Sequence, residues 1–393
     1  MDPKRAINGT FCPVPWTGFI MNPDGEIKNC VLSEQTLGNI NVTDIQDILQ
    51  GKTNTEIKTC MNADKQHTGC INCYKNEQGT AGLKNVRSDR YYYLKSLSKV
   101  PYSAYDTMDT TLSTVDMRWR NTCNLACVYC GPTLSSTWAK QLGVDIGVDE
   151  QQLDKTKQYV LDNAPNLKNV YLAGGEPLLM KENSELLDRL DPSCTVRINT
   201  NLSNIKGPVF KRASKFKDVH WTISVETMGA EFEYIRYGAV WDTFLENLEA
   251  VKDLDHKISF NMLWFILNPY TVFDTVDYFK ALGYSENSFV IGALTSPKAF
   301  DVRNCNSKTL LDLQNHLKMR IQGTNRDYFL HNSYVNMLKH LDEKFDQRGP
   351  RPPGGDGRLE FVRGEHGGHD LRRAHDRLRH RVRLPPRRDQ AAA

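Results

Sequence analysis

The feature that most constrains the fold is a regular alternation of predicted strands and helices from Leu112 to Ala293. The predicted strands are short apolar runs, which are typical of strands buried on both faces. Strands that alternate with helices in this way form a parallel sheet covered by helices, so the fold class is α/β. Six strands are predicted, at 112–119, 169–173, 195–199, 219–225, 258–267 and 289–293. Six β/α units fit an incomplete barrel and an open doubly wound sheet equally well.

Three cysteines follow the first predicted strand within eight residues, at Cys123, Cys127 and Cys130, with the aromatic Tyr129 just before the last. Thiolates are soft ligands that bind iron–sulfur clusters, zinc or copper(I). A structural zinc site closes with four ligands, but no fourth Cys or His lies within twenty residues on either side of this loop. The loop therefore predicts a metal cluster that keeps one coordination position open.

A second loop, Ala173-Gly174-Gly175-Glu176-Pro177, follows the next predicted strand. Loops that follow the strands of a parallel sheet meet at its ligand-binding edge, so we expect this loop to lie beside the cysteines. Paired glycines expose backbone groups, and the Glu176 carboxylate can accept hydrogen bonds from a ligand ammonium. Such a turn alone is weak evidence, but its place one β/α unit after the cysteine loop indicates a cofactor site.

The cysteine loop and the Gly174–Pro177 turn together resemble the radical SAM superfamily. This resemblance implies a [4Fe-4S] cluster on Cys123, Cys127 and Cys130, the predicted catalytic residues, whose open iron chelates the amino and carboxylate groups of S-adenosylmethionine. It implies reductive cleavage of that cofactor to a 5′-deoxyadenosyl radical, which abstracts a hydrogen from a substrate. It also implies a partial (β/α)6 barrel of the TIM type, which decides between the two arrangements of the sheet.

The same resemblance implies further contacts to S-adenosylmethionine. Glu176 and the glycine backbone would contact its amino group, and Arg236 would bind its carboxylate through two parallel hydrogen bonds. Ser224 is similar to the serine of a Ser-x-Asp element in which this chain has Glu226 in place of Asp. For these side chains a capping or surface role is the alternative. The predicted cofactor-binding residues are Tyr129, Gly174, Gly175, Glu176, Pro177, Thr200, Asn201, Ser224 and Arg236.

The first 85 residues contain five further cysteines, of which four could form one closed metal site: Cys12, Cys30, Cys70 and Cys73. A turn at 22–25, Asn-Pro-Asp-Gly, predicts a hairpin of strands at 17–21 and 26–32. The spacing of Cys12, Gly25 and Cys30 resembles the opening of SPASM and twitch modules, which hold auxiliary iron–sulfur clusters. Here the module precedes the barrel instead of following it. The alternative is a zinc knuckle on the same four cysteines, with Cys60 as a spare or alternate ligand.

The predicted domains are the cysteine-rich module at 1–85, a linker at 86–111, the barrel with its closing helices at 112–346, and a tail at 347–393. Residues 348–393 contain twelve Arg, six acidic residues and no Lys, which predicts a disordered segment. The tail would be either a basic arm or, as we favour, the product of a shifted reading frame. Residues 1–347 carry a formal net charge of −3, which speaks against nucleic-acid binding.

No apolar run approaches the ~20 residues of a membrane span, and no apolar signal segment stands near the N-terminus. These observations predict a cytoplasmic protein without a membrane partner, in which ten cysteines suit metal ligation better than disulfides. The resemblance implies a peptide or protein substrate and an external electron donor such as flavodoxin or ferredoxin. The alternative function is a non-catalytic iron–sulfur or zinc protein that acts as an electron carrier or binding module.

Overall fold

A computed structural model describes residues 10–78 and 105–346 of the 393-residue chain. The predicted tail at 347–393 and most of the predicted linker at 86–111 lie outside the described residues. In the described part of the chain, no helix is long and apolar enough to cross a membrane.

A single sheet of nine strands forms the centre of the described structure, in the order β3-β2-β1-β4-β5-β6-β7-β8-β9. The strands are β1 Gly18–Met21, β2 Glu26–Lys28, β3 Thr36–Asn39, β4 Thr114–Met117, β5 Asn169–Leu172, β6 Thr195–Thr200, β7 Val219–Ser224, β8 Lys257–Trp264 and β9 Phe289–Ala293. Each strand from β4 to β9 pairs in parallel with the next one along the chain. The end strands β3 and β9 do not meet, so the sheet is not closed. The predicted α/β fold with six parallel strands, a partial (β/α)6 barrel, is confirmed.

Helices connect these strands and close the C-terminal side. They are α1 Val14–Thr17, α2 Ile45–Gln50, α3 Lys52–Asn62, α4 Ile71–Gln78, α5 Ser136–Leu142, α6 Glu150–Asn163, α7 Lys181–Leu187, α8 Pro208–Ala213, α9 Gly229–Ile235, α10 Trp241–Lys252, α11 Thr271–Ala281, α12 Ser307–Gln322 and α13 Phe329–Asp346. Capping hydrogen bonds mark where helices begin. At the beginning of α6, for example, the Asp149 side chain accepts a hydrogen bond from the Gln152 amide at 2.9 Å. Apolar residues at helical spacing, such as Leu153 and Val160, then bury one face of α6.

The cysteine-rich segment extends the barrel sheet. Strand β1 pairs in parallel with β4 over its whole length, from Gly18 opposite Thr114 to Met21 opposite Met117. Strands β2 and β3 then continue the sheet in antiparallel fashion. The segment that carries Cys12 and Cys30 is thus joined to the barrel by backbone hydrogen bonds.

The two faces of the barrel sheet differ, and here the prediction of strands buried on both faces is wrong. Along β6 and β7, fully buried residues alternate with half-buried ones. The buried side chains, such as Ile198 and Trp221, belong to the main apolar core. The alternate side chains, such as Arg197 and Thr222, line a cavity instead. An open sheet of six strands leaves its concave face without a packing partner, whereas a closed barrel fills its interior with bulky apolar side chains.

Candidate active site

The cysteine loop lies directly after β4 and is fixed by its backbone. The amides of Ala126 and Val128 donate to the carbonyls of Tyr237 and Ile235, both at 2.9 Å, which ties the loop to the C-terminal end of α9. The Cys130 amide donates to the Cys127 carbonyl at 3.0 Å and closes a turn inside the loop. These backbone hydrogen bonds define the shape of the loop.

The beginning of α5 holds the same loop from its other side. The Cys123 amide donates to the Ser136 hydroxyl at 3.0 Å, and the Thr137 hydroxyl donates to the Cys123 carbonyl at 2.8 Å. The indole N–H of Trp138 donates to the Cys127 carbonyl at 2.8 Å. Polar groups at one helix terminus thus orient the backbone of two of the three predicted ligands.

The three thiols sit in a poorly hydrated environment, because Cys127 is buried and Cys123 and Cys130 are half-buried. Burial raises the pKa of the Cys123 thiol to about 11 and that of Cys127 to about 12, and it also raises the pKa of Cys130. Neutral thiols are therefore favoured in the free protein. A bound metal cation would reverse this preference, since a coordinating thiol loses its proton.

Two polar side chains lie against the sulfur atoms. The Asn201 Nδ2 atom is 3.9 Å from the Cys123 Sγ atom, and the Arg236 Nη1 atom is 4.0 Å from the Cys127 Sγ atom. Both groups are hydrogen-bond donors, and hydrogen bonds to ligating sulfur are one of the factors that set the reduction potential of an iron–sulfur cluster. These donors suit thiolate ligands better than neutral thiols.

The Gly174–Pro177 turn packs on the beginning of the cysteine loop. Gly174 has a φ of +106°, and a Cβ atom on Gly175 would lie 2.2 Å from the Thr122 carbonyl oxygen. The Glu176 amide donates to that same oxygen at 2.7 Å. Only glycine at position 175 allows this contact, so the two loops meet as the sequence predicts, and Gly175 faces the cysteine-loop backbone.

Glu176 connects the second and third loops of the barrel and is 1% exposed. Its Oε1 atom accepts from the Leu178 amide at 3.0 Å and from the Thr200 hydroxyl at 2.7 Å. Its Oε2 atom accepts from the Asn201 amide at 2.7 Å. Burial raises the pKa of Glu176 to about 6, against the opposing effect of these hydrogen bonds. Thr200 and Asn201 are thus brought to the predicted site through the Glu176 carboxylate.

Arg236 pairs with Glu226 in the structure, a contact that sequence reasoning missed. The Arg236 Nε and Nη2 atoms donate to the two Glu226 carboxylate oxygens at 2.7 and 2.8 Å, and both side chains are buried. The Tyr129 hydroxyl donates to Glu226 at 3.0 Å, and the guanidinium lies 5.9 Å from the centre of the Tyr129 ring. A bidentate carboxylate partner is therefore already present, and the guanidinium faces Cys127 with its remaining nitrogen.

Two of the predicted residues play smaller parts in this geometry. Ser224 lies at the end of β7, where its hydroxyl is 3.4 Å from the Asn199 amide oxygen. Pro177 is buried in the first turn of a short 3-10 helix that begins after Glu176. The structure brings Ser224 to the same edge of the sheet as Thr200, because β6 and β7 are neighbours in parallel register.

The second set of predicted metal ligands also comes together. Cys12, Cys30, Cys70 and Cys73 line one cavity between residues 10–15 and α4, whereas Cys60 lies beside a different pocket. Asn29 lines the cysteine cavity as well, and it is 5% exposed with neither side-chain polar atom hydrogen-bonded. A buried amide without a partner is costly, so it marks a place where a polar or ionic ligand fits.

None of the ten cysteines, all within the described ranges, forms a disulfide. In that same part of the chain, no three Cys, His, Asp or Glu side chains are grouped closely enough to bind one metal ion.

Comparison with known families identifies both parts of the chain. Residues 118–286 match the model of the radical SAM superfamily, and residues 12–74 match the SPASM iron–sulfur cluster-binding domain. The chain carries a radical SAM domain and an SPASM domain. The resemblance to the radical SAM superfamily and to SPASM modules, seen in the sequence, is confirmed. The predicted cofactors are confirmed as well. A radical SAM domain implies a [4Fe-4S] cluster and S-adenosylmethionine, and an SPASM domain indicates auxiliary iron–sulfur clusters.

Solved structures with similar folds include anSMEcpe with bound AdoMet, which is 16% identical, with a TM-score of 0.40 over 54% of this chain and 62% of that one. SuiB of Streptococcus suis bound to the precursor peptide SuiA is 14% identical, with a TM-score of 0.41 over 72% and 68% of the two chains. TYW1 with a lysine–pyruvate adduct is 15% identical, with a TM-score of 0.34 over 66% and 88%. This chain thus spans about three fifths of the anSMEcpe chain. A search of the curated proteins finds no match.

Proposed function

We propose that this chain is a radical SAM enzyme that abstracts a hydrogen atom from a peptide or protein substrate. The observation that carries this proposal is the packing of the Gly174–Pro177 turn on the cysteine loop. Gly175 and Glu176 contact Thr122, next to Cys123, and Asn201 connects the Glu176 carboxylate to the Cys123 sulfur. A cofactor-binding turn beside a three-cysteine loop is of use to an enzyme and of none to a simple electron carrier.

The residues fit the cofactors as follows. Cys123, Cys127 and Cys130 would hold the catalytic [4Fe-4S] cluster, and S-adenosylmethionine would take the remaining coordination position. The cluster and this cofactor, when bound and reduced by one electron, supply the 5′-deoxyadenosyl radical. The cofactor-binding role would fall to Tyr129, Gly174, Gly175, Glu176, Pro177, Thr200, Asn201 and Ser224. Arg236, predicted to bind the cofactor carboxylate, is instead paired with Glu226.

The side chains at this site would orient the cofactor and offset the charge of the ligating thiolates. Glu176 is ionised above a pH of about 6, the value to which burial raises its pKa, and its Oε2 atom can accept a further hydrogen bond from an ammonium group. The Arg236 guanidinium places positive charge 4.0 Å from the Cys127 sulfur, which offsets negative charge on a ligating thiolate. Glu226 and Tyr129 hold that guanidinium in position.

The SPASM domain would hold an auxiliary cluster on Cys12, Cys30, Cys70 and Cys73. The shared cavity and the unpaired Asn29 amide support this assignment. We propose that the auxiliary cluster accepts an electron from the substrate radical or anchors the substrate. A flavodoxin or ferredoxin would reduce the catalytic cluster, and a reducing compartment such as the cytoplasm would suit both clusters.

The proposal is tested by anaerobic reconstitution of the protein with iron and sulfide, followed by reduction in the presence of S-adenosylmethionine. We expect 5′-deoxyadenosine to form, and Cys127→Ala to lose this product together with about half of the bound iron, since one of two clusters is lost. The matched control is Cys305→Ala, which removes a partly exposed thiol far along the chain and should keep both. Full cluster loading without 5′-deoxyadenosine would instead support a non-catalytic iron–sulfur protein.

A further inference from the structure

The side chain of Arg236 is fixed between a carboxylate and a predicted cluster ligand. Its Nε and Nη2 atoms donate to the two carboxylate oxygens of Glu226 at 2.7 and 2.8 Å, and its Nη1 atom is 4.0 Å from the Cys127 Sγ atom. A guanidinium binds a carboxylate in parallel through two of its N–H groups, and Glu226 already occupies the edge formed by Nε and Nη2. Arg236 thus points its remaining nitrogen at a sulfur atom.

Further contacts keep the guanidinium in this place. The Tyr129 hydroxyl donates to Glu226 at 3.0 Å, and the guanidinium carbon lies 5.9 Å from the centre of the Tyr129 ring. The Arg236 amide donates to the Phe232 carbonyl at 2.8 Å, and the Arg236 carbonyl accepts from the Ala239 amide at 2.8 Å. Because Tyr129 belongs to the cysteine loop, the guanidinium is fixed relative to the loop that carries the three thiols.

The pair of Arg236 and Glu226 carries no net charge, but it has a direction. The guanidinium is the member that approaches the Cys127 sulfur, so the pair acts as a dipole with its positive end toward that ligand. Burial raises the pKa of Cys127 to about 12, and the guanidinium lowers this pKa more than the carboxylate raises it. Burial also raises the pKa of Cys123 and Cys130, and the same guanidinium opposes it. The dipole therefore favours negative charge on the thiols.

Such a dipole acts on an iron–sulfur cluster in a defined direction. Reduction adds one negative charge, and the net charge around a cluster is one of the factors that set its reduction potential. A buried cation beside a ligating sulfur stabilises the reduced cluster more than the oxidised one, whereas a carboxylate does the opposite. The side chains of Arg236 and Glu226 are only 5% and 2% exposed, so salt and water screen them weakly.

We propose that Arg236 acts on the catalytic cluster and not on the carboxylate of S-adenosylmethionine: through Cys127 it raises the reduction potential of the cluster, and Glu226 limits that rise. This inference rests on the proposed function, because it concerns the cluster of the same site. Arg236 is then a positioning residue for the first step of the reaction. In that step one electron passes from a low-potential donor, such as reduced flavodoxin or ferredoxin, to the cluster, and no bond is made or broken.

The test is a redox titration of the reconstituted full-length protein without S-adenosylmethionine, followed by electron paramagnetic resonance. The catalytic signal is the component that Cys127→Ala lacks, and the auxiliary cluster serves as an internal standard. We expect Arg236→Gln to make one-electron reduction of the catalytic cluster about tenfold less favourable, a shift of about 59 mV to lower potential. Glu226→Gln should shift the potential in the opposite direction. The potential of the auxiliary cluster should stay the same in both variants.

Each of these variants leaves one charge of the pair buried without its partner, so a double variant provides a second measurement. Glu226→Gln combined with Arg236→Gln removes both charges. Its potential should lie between those of the wild type and Arg236→Gln, since the guanidinium acts on Cys127 more strongly than the carboxylate does. Arg236→Lys keeps the positive charge and should restore most of the potential. The matched control Arg212→Gln removes an arginine from an exposed pair with Asp188 and should change neither cluster.

Circular dichroism and iron content establish which variants are folded and loaded. An unchanged or higher potential in Arg236→Gln, shifts of the same sign in the two single variants, or a double variant with the potential of the wild type would each overturn the inference. An unchanged potential together with weaker binding of S-adenosylmethionine to Arg236→Gln in equilibrium dialysis would instead assign Arg236 to the cofactor carboxylate. The expected shifts in a protein that forms no 5′-deoxyadenosine would refute only the proposed function, whereas cleavage with unshifted potentials would refute only this inference.

Discussion

The buried pair of Glu226 and Arg236 leads to a quantitative prediction. Replacing Glu226 with Gln keeps the size of the side chain and an oxygen for the Tyr129 hydroxyl, but it leaves the guanidinium without its counter-charge. The two side chains are only 2% and 5% exposed and are joined by two hydrogen bonds of 2.7 and 2.8 Å. Removing one partner of such a pair costs about 3–5 kcal/mol, because the other charge stays buried and uncompensated.

The assay is urea unfolding of the reduced apoprotein, followed by tryptophan fluorescence. We expect Glu226→Gln to lower the free energy of unfolding by about 3–5 kcal/mol. The matched control is Asp188→Asn, which breaks a pair with Arg212 whose side chains are 54% and 34% exposed. That exposed pair should contribute at most about 1 kcal/mol.

A double variant separates the charge from the packing. Glu226→Leu combined with Arg236→Met removes both charges and fills the same space with apolar atoms, so we expect much of the lost stability to return. It should nevertheless disturb the catalytic cluster, since the donor 4.0 Å from the Cys127 sulfur is gone. A loss of less than about 1 kcal/mol in Glu226→Gln would refute the reasoning, because the pair would then behave as an exposed one.

Three further predictions concern the two cofactor sites. Burial raises the pKa of Glu176 to about 6, so binding of S-adenosylmethionine should weaken as the pH falls through 6 and the carboxyl group becomes neutral, and Glu176→Gln should remove this dependence in equilibrium dialysis. Gly175→Ala would place a Cβ atom 2.2 Å from the Thr122 carbonyl oxygen and should lose the catalytic cluster, whereas Gly131→Ala meets no atom within 4 Å and should keep its iron. Asn29→Leu removes a buried donor from the four-cysteine cavity, so a redox titration followed by electron paramagnetic resonance should show a lower potential for the auxiliary cluster.

The barrel strands could be predicted because their signals are local. The predicted strand at 289–293 coincides with β9. Strand β3 and helix α3 were not predicted, because neither has a strong pattern of its own. Helix α3 buries Lys58, whose ammonium donates to the Met108 carbonyl at 2.7 Å. This contact spans fifty residues of sequence and is invisible to a local pattern.

In the candidate site, too, the features with a local sequence signal could be predicted, whereas those that depend on distant contacts could not. The cysteine spacing and the Gly-Gly-Glu-Pro turn indicated chemistry directly, and the parallel topology brought them together. The pairing of Arg236 with Glu226 could not be predicted, because it depends on how α9 turns the chain back toward β7. The polar concave face was missed because short apolar runs indicate burial without telling which face remains open.

The claim that the three-cysteine loop holds a cluster with an open position is tested most directly by electron paramagnetic resonance of the reduced, reconstituted protein with and without S-adenosylmethionine. A molecule that coordinates the cluster changes its electronic structure. The proposal predicts a new signal on addition of S-adenosylmethionine in the wild type and none in Cys127→Ala, which keeps only the auxiliary signal. A wild-type spectrum with both clusters loaded that does not respond to S-adenosylmethionine would contradict it.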